Sequence, residues 1–190
     1  TYAWVVVKAE KAVVPEWYFL VTGNDTGNSP GRNWSSWNIY GGNFATDEEA
    51  VRGNIENPAE GGLTLIDQRQ AEALPQANSE PWDTHFNKAD GKTAYQYFWI
   101  EVLESVQGTD VYLQMDEWGL GTYADLEKYL EDLANQVTGT DEPIQYTIID
   151  GDRNNGDGEG LPVLFDNDIN TKWGNGFNPK SYGATSGGAF

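Results

Sequence analysis

Cysteine is absent from this chain, which excludes disulfides, thiolate nucleophiles and metal sites ligated by cysteine. Histidine occurs once, at His85, so zinc sites built from several histidines and Cys–His dyads are excluded as well. A Ser–His–Asp triad would have to use His85, and a lone histidine in a loop-like stretch is more often structural or on the surface. No apolar run approaches the roughly 18–20 residues that a helix needs to cross a bilayer.

Positive charge is also scarce, with 11 Lys and Arg against 30 Asp and Glu and a formal net charge of −19 at pH 7. Such a chain repels phosphate backbones and anionic lipids, so nucleic acid and membrane partners are disfavoured. Acidic loops, in contrast, suit hard cations such as Ca²⁺. The sequence starts at TYAWVVVK without a Met, and we expect a processed or excised piece.

Aromatic residues and glycine are abundant, with 8 Trp, 10 Tyr, 7 Phe and 22 Gly. Short β-branched and aromatic runs between turn-forming residues predict an all-β domain. Residues 45–62 are predicted to form a polar insertion loop, and residues 71–92 an irregular segment. The predicted strands lie at residues 5–7, 17–21, 36–44, 63–70, 93–106, 110–122 and 146–150.

One segment has helical periodicity. Its apolar residues recur every three or four positions, at Leu126, Tyr129, Leu130, Leu133 and Val137. Thr122 or Asp125 is a suitable N-cap, and Gly139 follows the last apolar position. The pattern predicts one amphipathic helix followed by a linker.

The stretch FDNDINTKW, residues 165–173, has the alternate acidic spacing of calcium loops. An EF-hand loop that starts at Asp166 would need Gly at its sixth position and Glu at its twelfth. Thr171 and Phe177 occupy those positions, so the stretch is not an EF-hand. Taken alone it is either a solvated acidic turn or a cation loop that a distant acid completes.

Four stretches carry a shared signature, namely LFDNDINTKW (164–173), YFLVTGNDTGNSPGRNWSSWNIYGGN (18–43), YQYFWIEV (95–102) and LQMDEWGL (113–120). Together they resemble the discoidin-like domains, which include the coagulation factor V/VIII type C domains and the family 32 carbohydrate-binding modules. The resemblance covers most of residues 1–121 and 146–177. One departure is Trp34, where the family usually has Pro.

The order of these motifs is rotated relative to the family, in which the TKW segment precedes the TGND segment. The resemblance therefore implies one circularly permuted domain over residues 1–190. Residues 1–122 correspond to the family's middle and C-terminal part and residues 146–190 to its N-terminal part. Residues 123–145 form the joining helix and linker, which is feasible because domain termini often lie close together. The chain could be a native or engineered permutant, a window from a tandem array, or half of a segment exchange between chains.

The resemblance further implies a β-sandwich jelly roll of the galactose-binding type, with about eight strands and a structural Ca²⁺ at the TKW signature. Asp166, Asp168 and Thr171 would offer side-chain or backbone oxygens to that ion. Glu117, in the LQMDEW strand, would supply the distant acid. Hard oxygen ligands without Cys or His are the set that Ca²⁺ prefers.

The function that we expect from the resemblance and the loop aromatics is that of a non-catalytic carbohydrate-binding module of a secreted or surface bacterial protein, with a glycan or polysaccharide as partner. Exposed aromatic rings stack on sugars while polar side chains bind the hydroxyls, although most loop tryptophans instead close the end of a core. The predicted ligand residues are Arg32, Trp34, Trp82, His85 and Asn87. For Arg32 a structural role in the loop is the competing interpretation.

Two other functions compete with this one. The domain could be a structural or adhesion unit that self-associates by exchanging its permuted segment with a neighbouring chain, without binding sugar. A glycoside hydrolase would require two facing carboxylates, and no spacing in the sequence singles out such a pair.

Overall fold

A computed structural model of the protein describes residues 3–51, 60–108, 112–121, 127–128, 131, 135, 146–151, 161–166, 168 and 170–176. Within these residues nearly all regular structure is β. The strands are β1 (Ala3–Val13), β2 (Trp17–Val21), β3 (Trp34–Gly42), β4 (Leu63–Arg69), β5 (Pro81–His85), β6 (Tyr95–Ser105), β7 (Tyr112–Met115), β8 (Glu117–Gly121), β9 (Tyr146–Gly151) and β10 (Trp173–Gly176).

The strands form antiparallel sheets, so the predicted all-β class is confirmed. Five strands pair in the order β4-β3-β6-β1-β9, with the long aromatic strand β6 at the centre. Ile100 of β6 lies opposite Val5 on one side and Ile39 on the other. Three strands pair in the order β5-β2-β8, and β7 pairs with β10 in a separate two-stranded ribbon.

The five-stranded and three-stranded sheets pack their apolar faces against each other. The rings of Phe98 and Trp118, which belong to opposite sheets, have centroids 6.5 Å apart. Trp37 and Trp82 also meet across the interface at 5.7 Å. Full burial of one large apolar side chain stabilises a fold by about 1.5–3 kcal/mol, so this shared core is the main source of stability.

A buried polar network crosses the same core. The indole N–H of Trp37 donates to the Tyr18 hydroxyl at 2.9 Å, and that hydroxyl donates to Asp67 Oδ2 at 2.8 Å. Arg69 Nε lies 3.1 Å from the same oxygen, which neutralises the buried carboxylate. Such a fully bonded network positions the two sheets without leaving a buried charge uncompensated.

The outer face of the five-stranded sheet carries a second hydrophobic cluster. Trp4 and Trp99 stack there at 4.7 Å, and a short helix, α1 (Asp47–Val51), covers part of it. Trp99 Nε1 donates to the carbonyl of Ala50 at 2.8 Å. The expectation of a plain loop over 45–62 was therefore incomplete, because buried Ala50 and a tertiary hydrogen bond stabilise a helix whose local sequence is polar.

Two other expectations are corrected. Strand β5 lies inside residues 71–92, which were predicted to be irregular, and it occupies a sheet edge, where the starting Pro81 is tolerated. The predicted single strand over 110–122 is broken at Asp116, so β7 and β8 belong to different sheets. The helix predicted around residues 126–137 lies mostly outside the described residues. Within that segment, Glu127, Lys128 and Glu131 are described and are helical.

The C-terminal segment packs on the first part of the same chain. Strand β9 pairs with β1, and β10 pairs with β7. A 3-10 helix at Leu161–Phe165 contributes Leu164 to the core, and the Phe165 ring contacts that of Trp118 at 6.1 Å. Among the described helical residues, none forms a helix long and apolar enough to span a bilayer.

Candidate functional site

The TGND and TKW segments meet at one end of the molecule. Lys172 Nζ lies 2.6 Å from Asp25 Oδ2, although the two residues are 147 positions apart in sequence. Asn24 Nδ2 also donates to the carbonyl of Asn170. Side chains from both ends of the chain therefore form one local site.

The aspartate loop of residues 166–171 is held by its own hydrogen bonds. The N–H of Asp168 donates to Asp166 Oδ1 at 2.9 Å and to Glu117 Oε1 at 3.0 Å. Thr171 Oγ1 donates to the carbonyl of Asp168 at 2.8 Å and lies 3.1 Å from Asp166 Oδ2. The N–H of Asp168 thus joins Asp166 to Glu117, which starts β8, and Thr171 bonds to Asp168 and lies beside Asp166.

This donor set suits a hard cation. Glu117 is completely buried, and one N–H joins its carboxylate to that of Asp166, so two negative charges lie close together. Such a pair favours a bound cation, which would compensate the two adjacent carboxylates. With the Asp168 carbonyl and the Thr171 hydroxyl, the described residues offer only oxygen ligands, which fits Ca²⁺.

The third predicted acid is oriented differently. Asp168 Oδ1 accepts from the N–H of Asn170 at 3.0 Å and from its side-chain amide at 2.8 Å. In the described part of the chain, no group of three acidic, histidine or cysteine side chains is placed to hold a metal. Asp168 would therefore contribute its main-chain oxygen, and the remaining ligands of a six- to eight-coordinate ion would be other main-chain oxygens or water.

Asp116 adds a buried carboxyl next to the same loop. Burial raises its pKa to about 8, although hydrogen bonds from Ser79 and from the N–H of Asn24 oppose the rise, as does the charge of Lys172. Asp116 therefore favours its protonated form at neutral pH, and Asp25 is the carboxylate that forms the salt bridge with Lys172.

A cleft opens beside the junction, with a volume of about 180 Å³. Arg32 and Tyr112 lie together there, with the guanidinium 5.9 Å from the centre of the ring. Tyr112 is 64% exposed, and Asp25 joins Arg32 (3.7 Å) to Lys172. The described residues that line the cleft are Arg32, Tyr112, Leu113, Gln114, Lys172 and Gly174.

The floor of the cleft is the ribbon of β7 and β10. Alternation along β7 puts Tyr112 and Gln114 on the same face, and Gly174 lies directly opposite Gln114. Gln114 is 1% exposed, and its Nε2 donates to Thr26 Oγ1 at 3.0 Å. Its Oε1 has no hydrogen-bond partner among the described residues, so a buried acceptor borders the cleft.

The five predicted ligand residues do not form one cluster. Arg32 borders the cleft, but Trp34 is completely buried and its ring contacts Trp37 and Trp173, each at 6.0 Å. The Trp34 ring therefore has no surface to offer a ligand in this conformation.

The other three lie on or after β5. Trp82 is half-buried, and the guanidinium of Arg69 lies over its ring. His85 is exposed, and the centre of its ring lies 5.5 Å from that of Trp17. His85 pairs with Trp17 at one end of β2, and Glu117 pairs with Val21 at the other end. His85 and Glu117 are therefore about 13 Å apart along the strands.

The amide of Asn87 is occupied by the backbone of Gln68. Its Nδ2 donates to the Gln68 carbonyl at 2.7 Å, and its Oδ1 accepts from the Gln68 N–H at 3.0 Å. Asn87 thus extends the hydrogen bonding of the β4 edge.

Five of the six described residues that line the cleft were not predicted as site residues, and three of these have polar or aromatic side chains, namely Tyr112, Gln114 and Lys172. The alternation in VYLQM carries a usable signal, since an aromatic and an amide two positions apart share one face. What the sequence lacks is the information that β10 pairs with β7.

The string GNSPG at residues 27–31 matches the GxSxG pattern of serine hydrolases. In that family the serine sits on a sharp turn between a strand and a helix. Here Ser29 lies in a loop before a three-residue 3-10 helix at Pro30–Arg32. The local structure is therefore not a nucleophile elbow.

Comparison of the sequence with protein-family models gives no match, and neither does comparison with curated proteins.

Proposed function

We propose that this protein is a non-catalytic carbohydrate-binding module of a secreted or surface bacterial protein. The observation that carries the proposal is the cleft in which the exposed ring of Tyr112 lies beside the guanidinium of Arg32. An aromatic face stacks on the apolar side of a pyranose, and adjacent polar groups bind its hydroxyls. The described residues that line the cleft include no carboxylate and no histidine, which favours binding over hydrolysis.

The fold that we propose is a circularly permuted, discoidin-like jelly roll. The five-stranded and three-stranded sheets together have eight strands, the number typical of that architecture. The contact between Asp25 and Lys172 supports the permuted order, because it brings the TGND and TKW segments together. In this proposal residues 123–145 join the family's usual ends.

We further propose that Ca²⁺ stabilises the aspartate loop without taking part in chemistry. Glu117 and Asp166 would bind it through carboxylates, Asp168 through its carbonyl, and Thr171 through its hydroxyl. The ion would neutralise the adjacent carboxylates and fix the loop against β8.

A glycan array followed by titration calorimetry tests the function. We expect binding to at least one plant, microbial or host glycan, and loss of that binding in Tyr112→Ala. Tyr112 is exposed, so this variant should fold normally. Absence of binding across galactosides, glucans and host glycans would contradict the proposal.

A structural or adhesion role is the second candidate, and burial of the tryptophans favours it. Six of the eight are at most 8% exposed, and Trp17 and Trp82 are half-buried. Exchange of residues 146–176 between chains would reproduce the β9–β1 and β10–β7 pairings in an oligomer. Light scattering separates the two roles: a monomer that binds glycan supports the first, and an oligomer that binds none supports the second.

A further inference from the structure

We infer that the cleft between Arg32, Tyr112 and Lys172 binds a sugar residue that carries a carboxylate, such as a hexuronic acid within a glycan. This inference rests on the proposed function, which it narrows to a ligand class and to one site. It follows from the two cations, the aromatic surface and the size of the cleft.

Two cations border the cleft of a strongly acidic protein. Asp25 Oδ2 lies 3.7 Å from Arg32 and 2.6 Å from Lys172, so the carboxylate that Arg32 shares is closer to Lys172. A ligand carboxylate would give Arg32 an anionic partner of its own.

Arg32 is the side chain that would bind the carboxylate directly. Its distance to Asp25 is too long for a hydrogen bond, and among the described residues its guanidinium donates none. The planar fork of an arginine matches a carboxylate and can form two parallel hydrogen bonds. Lys172 is less exposed and bonded to Asp25, so it contributes mainly charge.

Tyr112 and the size of the cleft favour a sugar over a simple anion. The exposed ring offers an apolar face at the rim, on the same side of β7 as Gln114. The volume of about 180 Å³ is below the roughly 300–1,000 Å³ of pockets for drug-sized ligands. One monosaccharide unit is therefore the largest group that the cleft would enclose.

The floor of the cleft supplies space. Gln114 is 1% exposed, so it packs beneath a ligand and does not bind its hydroxyls directly. Gly174, opposite Gln114, has no side chain, which allows close approach to the ribbon.

The charge of the whole protein limits the ligand further. A net charge of −19 repels densely charged polyanions at long range. A glycan with isolated carboxylates among neutral sugars avoids most of this repulsion, because at physiological salt charges beyond about 8 Å are largely screened.

Calorimetric titration of the full chain tests the inference. The probes are methyl glucuronide and methyl galacturonide, their neutral counterparts methyl glucoside and methyl galactoside, and acetate. We expect at least one uronide to bind about tenfold more tightly than its neutral counterpart, the effect of one charge-assisted hydrogen bond. Arg32→Met should remove this preference, Tyr112→Ala should weaken uronide binding, and Lys88→Met, at an exposed lysine outside the cleft, should change neither.

Other outcomes would overturn the inference. Equal binding of uronides and neutral sugars, an unchanged preference in Arg32→Met, or acetate that competes as well as a uronide would each do so. If the array finds a neutral glycan while both uronides fail, the carbohydrate function stands and the uronide site falls. If no glycan binds, both fall. Thermal melts of each variant check that it is folded.

Discussion

Lys172 Nζ and Asp25 Oδ2 lie 2.6 Å apart and join two segments that are separated by most of the chain. Lys172 belongs to the stretch between the aspartate loop and β10, and Asp25 follows β2. The side chain of Lys172 is 12% exposed and that of Asp25 is 34% exposed, so water screens the pair only partly. We therefore expect this contact to couple the two segments energetically.

The first prediction concerns the strength of this contact. Lys172→Met and Asp25→Asn should each destabilise the fold, and the double variant should lose less than the sum. We expect a coupling free energy of about 1–2 kcal/mol, typical of a hydrogen bond to a charged group that is partly buried. Urea unfolding of the four proteins measures it, with Lys88→Met as the control. A coupling near zero would show that the contact contributes nothing to stability.

The second prediction concerns the order of the chain. A rearranged chain that runs through residues 146–190 and continues into residues 1–121 should fold without residues 122–145. The reason is that the pairings of β9 with β1 and of β10 with β7 do not depend on which segment comes first. Circular dichroism and cooperative thermal unfolding measure the result. A chain that fails to unfold cooperatively would argue against a permuted domain.

The third prediction concerns Ca²⁺. At a free concentration of about 100 times its Kd, a ligand that binds only the folded state stabilises it by about 2.7 kcal/mol. For a chain of this size, that corresponds to a Tm higher by about 5–10 °C. We therefore expect Ca²⁺ to raise the Tm and EDTA to lower it. A Tm that changes with neither Ca²⁺ nor EDTA would rule out the calcium site.

Matched variants locate the ion. Glu117→Gln should remove most of the Ca²⁺-dependent shift, because it deletes one of the two adjacent carboxylates. Asp168→Asn should keep it, because the carboxylate of Asp168 is bonded to Asn170 and its main-chain oxygen is unchanged. The reverse pattern would mean that the Asp168 side chain, rather than its carbonyl, holds the ion.

The sequence predicted those parts of the fold that depend on local pattern. The aromatic residues of β6 and the WYFLV run of β2 identified strands, since both faces of these segments are largely buried. Strand β5 was missed because PWDTH has little alternation and begins with Pro, and pairing with β2 stabilises it. The break at Asp116 was missed because the two strands around it belong to different sheets.

For the site, the sequence identified residue types more reliably than positions. The alternate acids of residues 166–168 were recognisable, but the rotation of the Asp168 carboxylate towards Asn170 was not. Trp34 adjoins a polar loop in sequence, yet it is the first residue of a strand buried along its whole length. Burial depends on pairing partners far away in the chain, and no local window contains them.

The fourth prediction concerns the turn before β6. Asp90 Oδ2 accepts from the Thr93 hydroxyl at 2.6 Å, and Oδ1 accepts from the N–H groups of Thr93 and Lys92 at 2.8 Å. These hydrogen bonds, above all that from the Thr93 hydroxyl, lower the pKa of Asp90 to about 2 from 3.8. Because the pKa is lower in the folded state, the carboxylate stabilises the fold above pH 3.8, and this contribution disappears as the pH falls through about 2.

Asp90→Ala should accordingly have a lower Tm than the parent protein at pH 5–7, with the difference shrinking between about pH 4 and pH 2. Asp90→Asn keeps an acceptor without the charge, so its own Tm deficit should be smaller. Melting curves at several pH values measure both. A deficit for Asp90→Ala that is constant down to pH 2 would mean that the ionised carboxylate has no special role.

The fifth prediction separates core from ligand site. Trp34→Phe should cost about 2 kcal/mol of stability, since it leaves a cavity against Trp37 and Trp173. Its glycan affinity should stay within about twofold of the parent value, a change of about 0.4 kcal/mol. The reason is that Trp34 has no exposed surface with which to contact a ligand.

Tyr112→Ala should behave in the opposite way, with affinity lost and stability kept. Urea unfolding and titration with the same glycan measure both quantities for both variants. If Trp34→Phe lost affinity at unchanged stability, the ring would have to reach the ligand, and the binding site would lie elsewhere than the cleft of Arg32 and Tyr112.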